Sequence, residues 1–237
     1  MPSSASDPLP IVLVPGLNCS ARLYADQIPA LWQIGAVTVA DHRRDDSMAA
    51  MARRILAGAP ARFALAGLSM GGYVAFEIMR QAPERVAKLA LLDTGARAET
   101  PERTAERKPL IEMARQGRFA EITENQYPLL VHKSRHGEAE LKAKVRAMNE
   151  ETGPEAYVRQ QQAIMGRPDS RPGLAAIACP TLVLVGDGDE LTPLVLAREM
   201  AAGIRGARLV VIPDCGHLAT LERPEAVTRA LVEWMTS

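Results

Sequence analysis

Aromatic residues are scarce in this chain, 4% of 237, which argues against the stacking platforms that hold single-stranded nucleic acid. An excess of either charge is also missing. Lys plus Arg and Asp plus Glu each number 28, so nothing in the balance points to nucleic acid or to an acidic surface. Cysteine is limited to Cys19, Cys179 and Cys215. They are odd in number, far apart and without CxxC spacing, so neither a disulfide framework nor a zinc site is expected, and reduced thiols are. No apolar run approaches the length of a membrane span. The opening MPSSASDPLP has neither the basic patch nor the apolar stretch of a signal peptide. These absences give the expectation of a soluble, cytoplasmic protein that needs no metal or organic cofactor. Oligomeric state is left open.

What is present is apolar content enough for a sizeable core, 47%, arranged as short β-rich runs between helical patterns. Six runs read as strands: 11–16, 36–41, 61–67, 86–94, 181–187 and 207–214. Helical spacing covers 47–58, 70–83, 193–204 and 224–237, the last with Pro224 suited to a first turn. Strands that are apolar on both faces and separated by helices imply a parallel sheet covered on both sides. The fold class expected is α/β, a doubly wound and mainly parallel sheet of about six strands. Residues 97–175 break the alternation. They hold much charge, amphipathic helix candidates such as EAELKAKVRAMNEE, and no convincing strand. Such a stretch is too long for a loop and reads as a helical insertion. The expected organisation is therefore a core of 1–96 and 176–237, with 97–175 inserted after the fourth strand.

The chemistry-bearing stretch is Gly67-Leu68-Ser69-Met70-Gly71, between a strand and a helix. In that context G-x-S-x-G marks a nucleophile on a tight turn, with glycines giving steric clearance and a helix N-terminus facing any oxyanion formed there. A serine hydroxyl needs a base. The histidines are His42, His132, His136 and His217. His217 follows the sixth strand, and loops after the strand ends of a parallel sheet gather at one edge. His42 also follows a strand, but the adjoining RRDD reads as solvated. His132 and His136 are four apart without the Glu of HExxH, so no metal site is expected. The acid that orients the base has candidates in VLVGDGDELTP, namely Asp187, Asp189 and Glu190, and in Asp93 at the end of the fourth strand. The order Ser, Asp, His suits this architecture.

An early strand ending PGLN, GLSMGG before a helix, LALLDT, GDGDELTP and DCGHLATLERPE together resemble the α/β-hydrolase superfamily, in the group of small esterases, enol-lactonases and cofactor-free peroxidases. The resemblance spans nearly the whole chain. It implies Ser69 as nucleophile, His217 as base and Asp189 as acid, since Gly186, Asp189 and Pro193 match the family's acid loop; Asp93 stays as the alternative. It also implies an oxyanion hole from the N–H groups of Leu17 and Met70. Many relatives carry His-Gly at the first turn, where this chain has Pro15-Gly16. Asn18 is a candidate substrate-binding residue and Cys19 a small apolar filler. Only ten residues precede the first strand, so the two extra leading strands of the full family sheet are not expected.

In this superfamily an insertion after the LLDT strand caps the site. Ile122, Tyr127, Leu129, Leu130, Val131 and Met148 are its apolar residues with a chance of facing Ser69. The activity implied is hydrolysis of a small-molecule carboxylic ester or lactone. Rival readings keep the site for C–C, thioester, perhydrolase or lyase chemistry, or make the protein a non-catalytic receptor or an interaction module.

Overall fold

The computed structural model describes residues 8–237; most of the opening stretch read against a signal peptide, residues 1–7, lies outside them. Six strands form one parallel sheet in the order β2-β1-β3-β4-β5-β6. They are β1 Ile11–Val14, β2 Val37–Val39, β3 Phe63–Leu68, β4 Val86–Leu92, β5 Thr181–Gly186 and β6 Arg208–Ile212. All are shorter at one or both ends than the sequence runs, and β3, which starts at Phe63, also extends one residue further to Leu68. At the end of β1 the reason is local: Pro15 has no N–H to offer a neighbouring strand.

Period-two alternation divides the strand side chains between two cores. Ile11 and Leu13 belong to one cluster with Leu31, Leu231 and Trp234. Val12 and Val14 belong to the other with Met51, Val74 and Met200. The first face is covered by α1 (Ile28–Trp32), α9 (Ala219–Glu222) and α10 (Pro224–Thr236), the second by α2 (Met48–Gly58), α3 (Met70–Gln81) and α8 (Leu194–Gly203). Ser47 caps α2, its hydroxyl accepting the Ala50 N–H.

Between β4 and β5 the chain forms α4 (Pro101–Arg115), α5 (Phe119–Leu130), α6 (Ala139–Thr152) and α7 (Pro154–Met165), and no strand. Gly117 separates α4 from α5: it has φ +78°, a conformation that glycine adopts without steric cost and that ends α4.

The order β2-β1-β3 means that the chain leaves β1 in one direction and resumes at β3 in the other. Such a reversal opens a crevice at the strand C-termini. The turn after β1 and the turn after β3 meet there.

Candidate active site

Ser69 stands alone between β3 and α3 at φ 54° and ψ −117°. A non-glycine residue in that region stores about 1–3 kcal/mol of strain. Its neighbours hold it there. The Ser69 N–H donates to the Leu92 carbonyl at 2.9 Å, and the Thr94 hydroxyl donates to the Ser69 carbonyl at 2.8 Å. The glycines allow the tight crossing. A Cβ on Gly67 would meet the Gly71 carbonyl oxygen at 2.3 Å, and one on Gly71 would stand 2.0 Å from the Val14 oxygen and 2.9 Å from that of Pro15. Those obstacles are backbone and cannot rotate away. Gly71→Ala is therefore expected to destabilise by about 3 kcal/mol, lowering Tm by roughly 10 °C for a chain of this size; a melting curve checks it.

The Ser69 Oγ lies 2.8 Å from His217 Nε2. The other ring nitrogen, Nδ1, lies 2.8 Å from Asp189 Oδ2. An ionised carboxylate only accepts, so Nδ1 carries the proton and Nε2 is free to accept from the serine. His217 is 3% exposed and Asp189 4%. Asp189 is further fixed by the Thr192 hydroxyl at 2.6 Å and by the N–H groups of Leu191 and Thr192, both at 2.9 Å. Burial alone would raise its carboxyl; the His217 ring and the Thr192 donors outweigh burial and hold it below the usual aspartate value.

The other acid candidates go elsewhere. Asp187 accepts the Cys215 N–H at 3.3 Å and ties down the histidine loop, and Glu190 is exposed. Asp93 is fully buried and accepts the Gly186 N–H at 2.9 Å. Burial, with the Asp189 charge added, pushes its carboxyl well above the usual range, and its contact with the Gly186 N–H supports β5.

Leu17 follows β1, and its N–H has no acceptor among the described residues. Met70 is the first residue of α3, where a helix leaves its N–H groups unused. A cavity of about 180 Å³ is lined by Leu17, Asn18, Cys19, Ser69 and His217. Burial pushes the Cys19 thiol up to about 12, so it stays protonated. Of the insertion's apolar candidates, Leu129, Leu130 and Met148 line this cavity. Ile122 instead packs with Ala114 and Tyr157, and Tyr127 and Val131 join the main core.

His42 is buried although the RRDD after it is solvated. It is 2% exposed, with Nε2 2.9 Å from the Gly16 carbonyl. The Arg and Asp residues after it do reach solvent, but the ring turns inward behind the β1 turn. His132 Nδ1 pairs with the Ser134 hydroxyl at 2.8 Å, and His136 is exposed. Sequence reasoning missed Thr192, although it sits inside the acid loop. It also missed Glu222, whose buried carboxylate accepts the N–H groups of Gly216 at 3.0 Å and His132 at 2.8 Å, bracing the His217 loop against the insertion. No sequence signal marks that contact, because it joins residues 90 apart.

The characteristic pattern of the alpha/beta hydrolase family matches residues 11–230. The chain belongs to the alpha/beta hydrolase family. This hydrolase is 30% identical over 186 residues to pimeloyl-[acyl-carrier protein] methyl ester esterase of Nitrosomonas europaea, covering 76% of this chain and 74% of that one. Its fold is similar to a thermophilic esterase from Thermogutta terrifontis, solved with malate bound, at TM-score 0.88 and 34% identity, over 98% of this chain and 90% of that one. It is similar also to the enol-lactonase of Burkholderia xenovorans, at TM-score 0.88 and 26% identity, over 99% and 94%.

Proposed function

We propose that this alpha/beta hydrolase cleaves a small carboxylic ester or lactone through an acyl-enzyme on Ser69. The observation that carries the reading is the continuous chain from Ser69 Oγ through His217 to Asp189, with both links at 2.8 Å. Ser69 attacks the carbonyl as Nε2 takes its proton. The N–H groups of Leu17 and Met70 receive the oxyanion, and Asp189 stabilises the imidazolium. His217 then gives the proton to the leaving alcohol, and water repeats the sequence on the acyl-enzyme. The esterase and enol-lactonase activities named for the similar proteins support the substrate class. Residues 97–175 act as a cap over the site, a reading supported by the cavity-facing Leu129, Leu130 and Met148. Three free thiols suit a cytoplasmic enzyme. No helix among the described residues is long and apolar enough to cross a membrane.

Aryl esters of graded acyl length are the test. Turnover and labelling of Ser69 by a fluorophosphonate are expected together. An inert Ser69 with no ester turned over would shift the weight to lyase-type or receptor function.

One end of the cavity favours an anionic group on the substrate. Glu99, with its side chain 2% exposed, is shared by Arg107 and Arg167, each at 2.6 Å. Two cations thus face one carboxylate in a largely buried cluster. Arg107 lines the cavity, as do Arg103 one turn earlier and Glu106, which lies 3.9 Å from Arg103. The surplus positive charge of the Arg107–Glu99–Arg167 cluster is what a ligand anion would stabilise. The expected outcome is a kcat/KM about 10-fold higher for the monoaryl ester of a dicarboxylic acid than for a neutral ester of equal length. The preference should shrink in Arg103→Ala and in high salt; equal rates in wild type would remove the anion subsite.

A further inference from the structure

We infer that His42 and Gln160 are positioning residues that aim the Leu17 N–H into the oxyanion hole, an inference that rests on the serine-hydrolase reading. The peptide between Gly16 and Leu17 is trans, as are all those described, so its carbonyl and its N–H point in opposite directions. Whatever fixes the Gly16 oxygen therefore fixes the Leu17 N–H. His42 Nε2 lies 2.9 Å from that oxygen. A carbonyl oxygen only accepts, so Nε2 carries the proton and donates. The Cys19 N–H donates to the same oxygen at 3.2 Å.

The following peptide is held by Gln160, whose amide nitrogen also lies 3.4 Å from His42 Nε2, so the two clamps touch. The Asn18 N–H donates to Gln160 Oε1 at 2.9 Å, and Asn18 adopts φ 59°, a conformation that needs support for a non-glycine residue. The Leu17 carbonyl on the same peptide receives the Cys19 thiol at 3.4 Å. Both planes that meet at Leu17 are thus clamped from behind by side chains that are essentially inaccessible, His42 at 2% and Gln160 at 0%.

The two clamps come from different parts of the chain. His42 follows β2, the neighbour of β1, and Gln160 belongs to α7 of the insertion. The inserted helices therefore reach the oxyanion loop directly. This chain has Pro15 where a histidine is absent from the turn itself, and an imidazole reaches the turn from residue 42. Neither residue lines the cavity that holds Ser69, so neither is expected to touch substrate.

A donor misaligned by a fraction of an ångström loses strength in the transition state, where the oxygen is charged, far more than in the ground state. The test measures kcat, KM and inhibition by a boronic acid, which forms a tetrahedral adduct on serine. The proteins are wild type, His42→Leu, His42→Gln and Gln160→Met, with Ser69→Ala as the blank. His42→Leu removes the donor; His42→Gln returns an N–H at similar reach. Expected in His42→Leu is a kcat lower by about 10- to 100-fold, a KM within about 3-fold of wild type, and a boronate affinity weakened by the same factor as kcat. His42→Gln should recover most of both. Gln160→Met, with its own melting curve, should repeat the pattern more weakly and stands in if His42→Leu does not fold.

Full turnover by folded His42→Leu would overturn the inference, and so would a fall in kcat with boronate affinity unchanged. A wild type with no turnover above the Ser69→Ala blank would instead overturn the serine-hydrolase reading, and the inference with it. Turnover that depends on Ser69 but not on His42 or Gln160 would overturn the inference alone.

Discussion

Ser69→Ala is expected to reduce ester turnover by a factor of about 10⁴ to 10⁶ while leaving the fold intact. The oxygen removed is the one 2.8 Å from His217 Nε2, and no other nucleophile lines the cavity in usable form, since burial keeps the Cys19 thiol protonated. What remains is attack by water assisted by the oxyanion donors and by substrate binding. The loss should appear in kcat, with an ester still bound. Ser69→Gly adds a second readout. Glycine accepts φ 54° without strain, so this variant is expected to be equally inactive yet more stable by about 1 kcal/mol. Activity lost together with a raised Tm identifies a residue strained for function; a lowered Tm in Ser69→Gly would count against stored strain.

Asp189→Asn is expected to lower kcat by about 10⁴ through the tautomer of the base. The asparagine NH₂, turned towards His217 Nδ1, donates instead of accepting. The ring proton then moves to Nε2, the atom that must accept from Ser69. Asp93→Asn is the paired control. Asparagine keeps an acceptor for the Gly186 N–H and tolerates the φ of 43° at that position. It also resembles the neutral carboxylic acid that burial favours there. It is expected to retain turnover within about 10-fold. A collapse in Asp93→Asn with activity kept in Asp189→Asn would exchange the two roles.

The pH dependence of wild-type stability follows from the depressed Asp189 carboxyl. The Asp189 carboxyl is held below 3.8 in the folded protein. A depressed carboxylate contributes stability that is complete above its unfolded value and is lost as pH falls through the folded one. The contribution of Asp189 is therefore intact throughout mild acid and fades only below about pH 4. Circular dichroism unchanged between about pH 7 and 5, with stability lost only in stronger acid, is the expected result.

Much of the architecture was legible because its causes are local. Alternation of apolar runs with helical spacing fixes a parallel sheet with two covered faces, and each of the six runs is a strand. Gly67 and Gly71 announced the tight turn at Ser69, because only a residue without Cβ permits the crossing seen there. Strand-end loops pointed to His217 and left several acids open. Periodicity left Asp187, Asp189, Glu190 and Asp93 open, and the family resemblance preferred Asp189 through Gly186 and Pro193; the three-dimensional path of the loop turns Asp189 to Nδ1 and Asp187 to the Cys215 N–H.

The supporting shell was hidden for the same reason. His42 looks solvated beside RRDD, yet the pairing of β2 with β1 carries its ring behind Gly16. Gln160 reaches Asn18 across 142 residues, and Glu222 reaches His132 across 90. By itself the sequence determined the sheet and the tight turn at Ser69, and its family resemblance preferred Asp189, since periodicity, steric clearance and motif spacing act within a few residues. Tertiary structure decided that Asp189 meets His217, what holds the turn after β1 and which residues of the insertion line the cavity at Ser69, since those contacts arise only when distant segments pack.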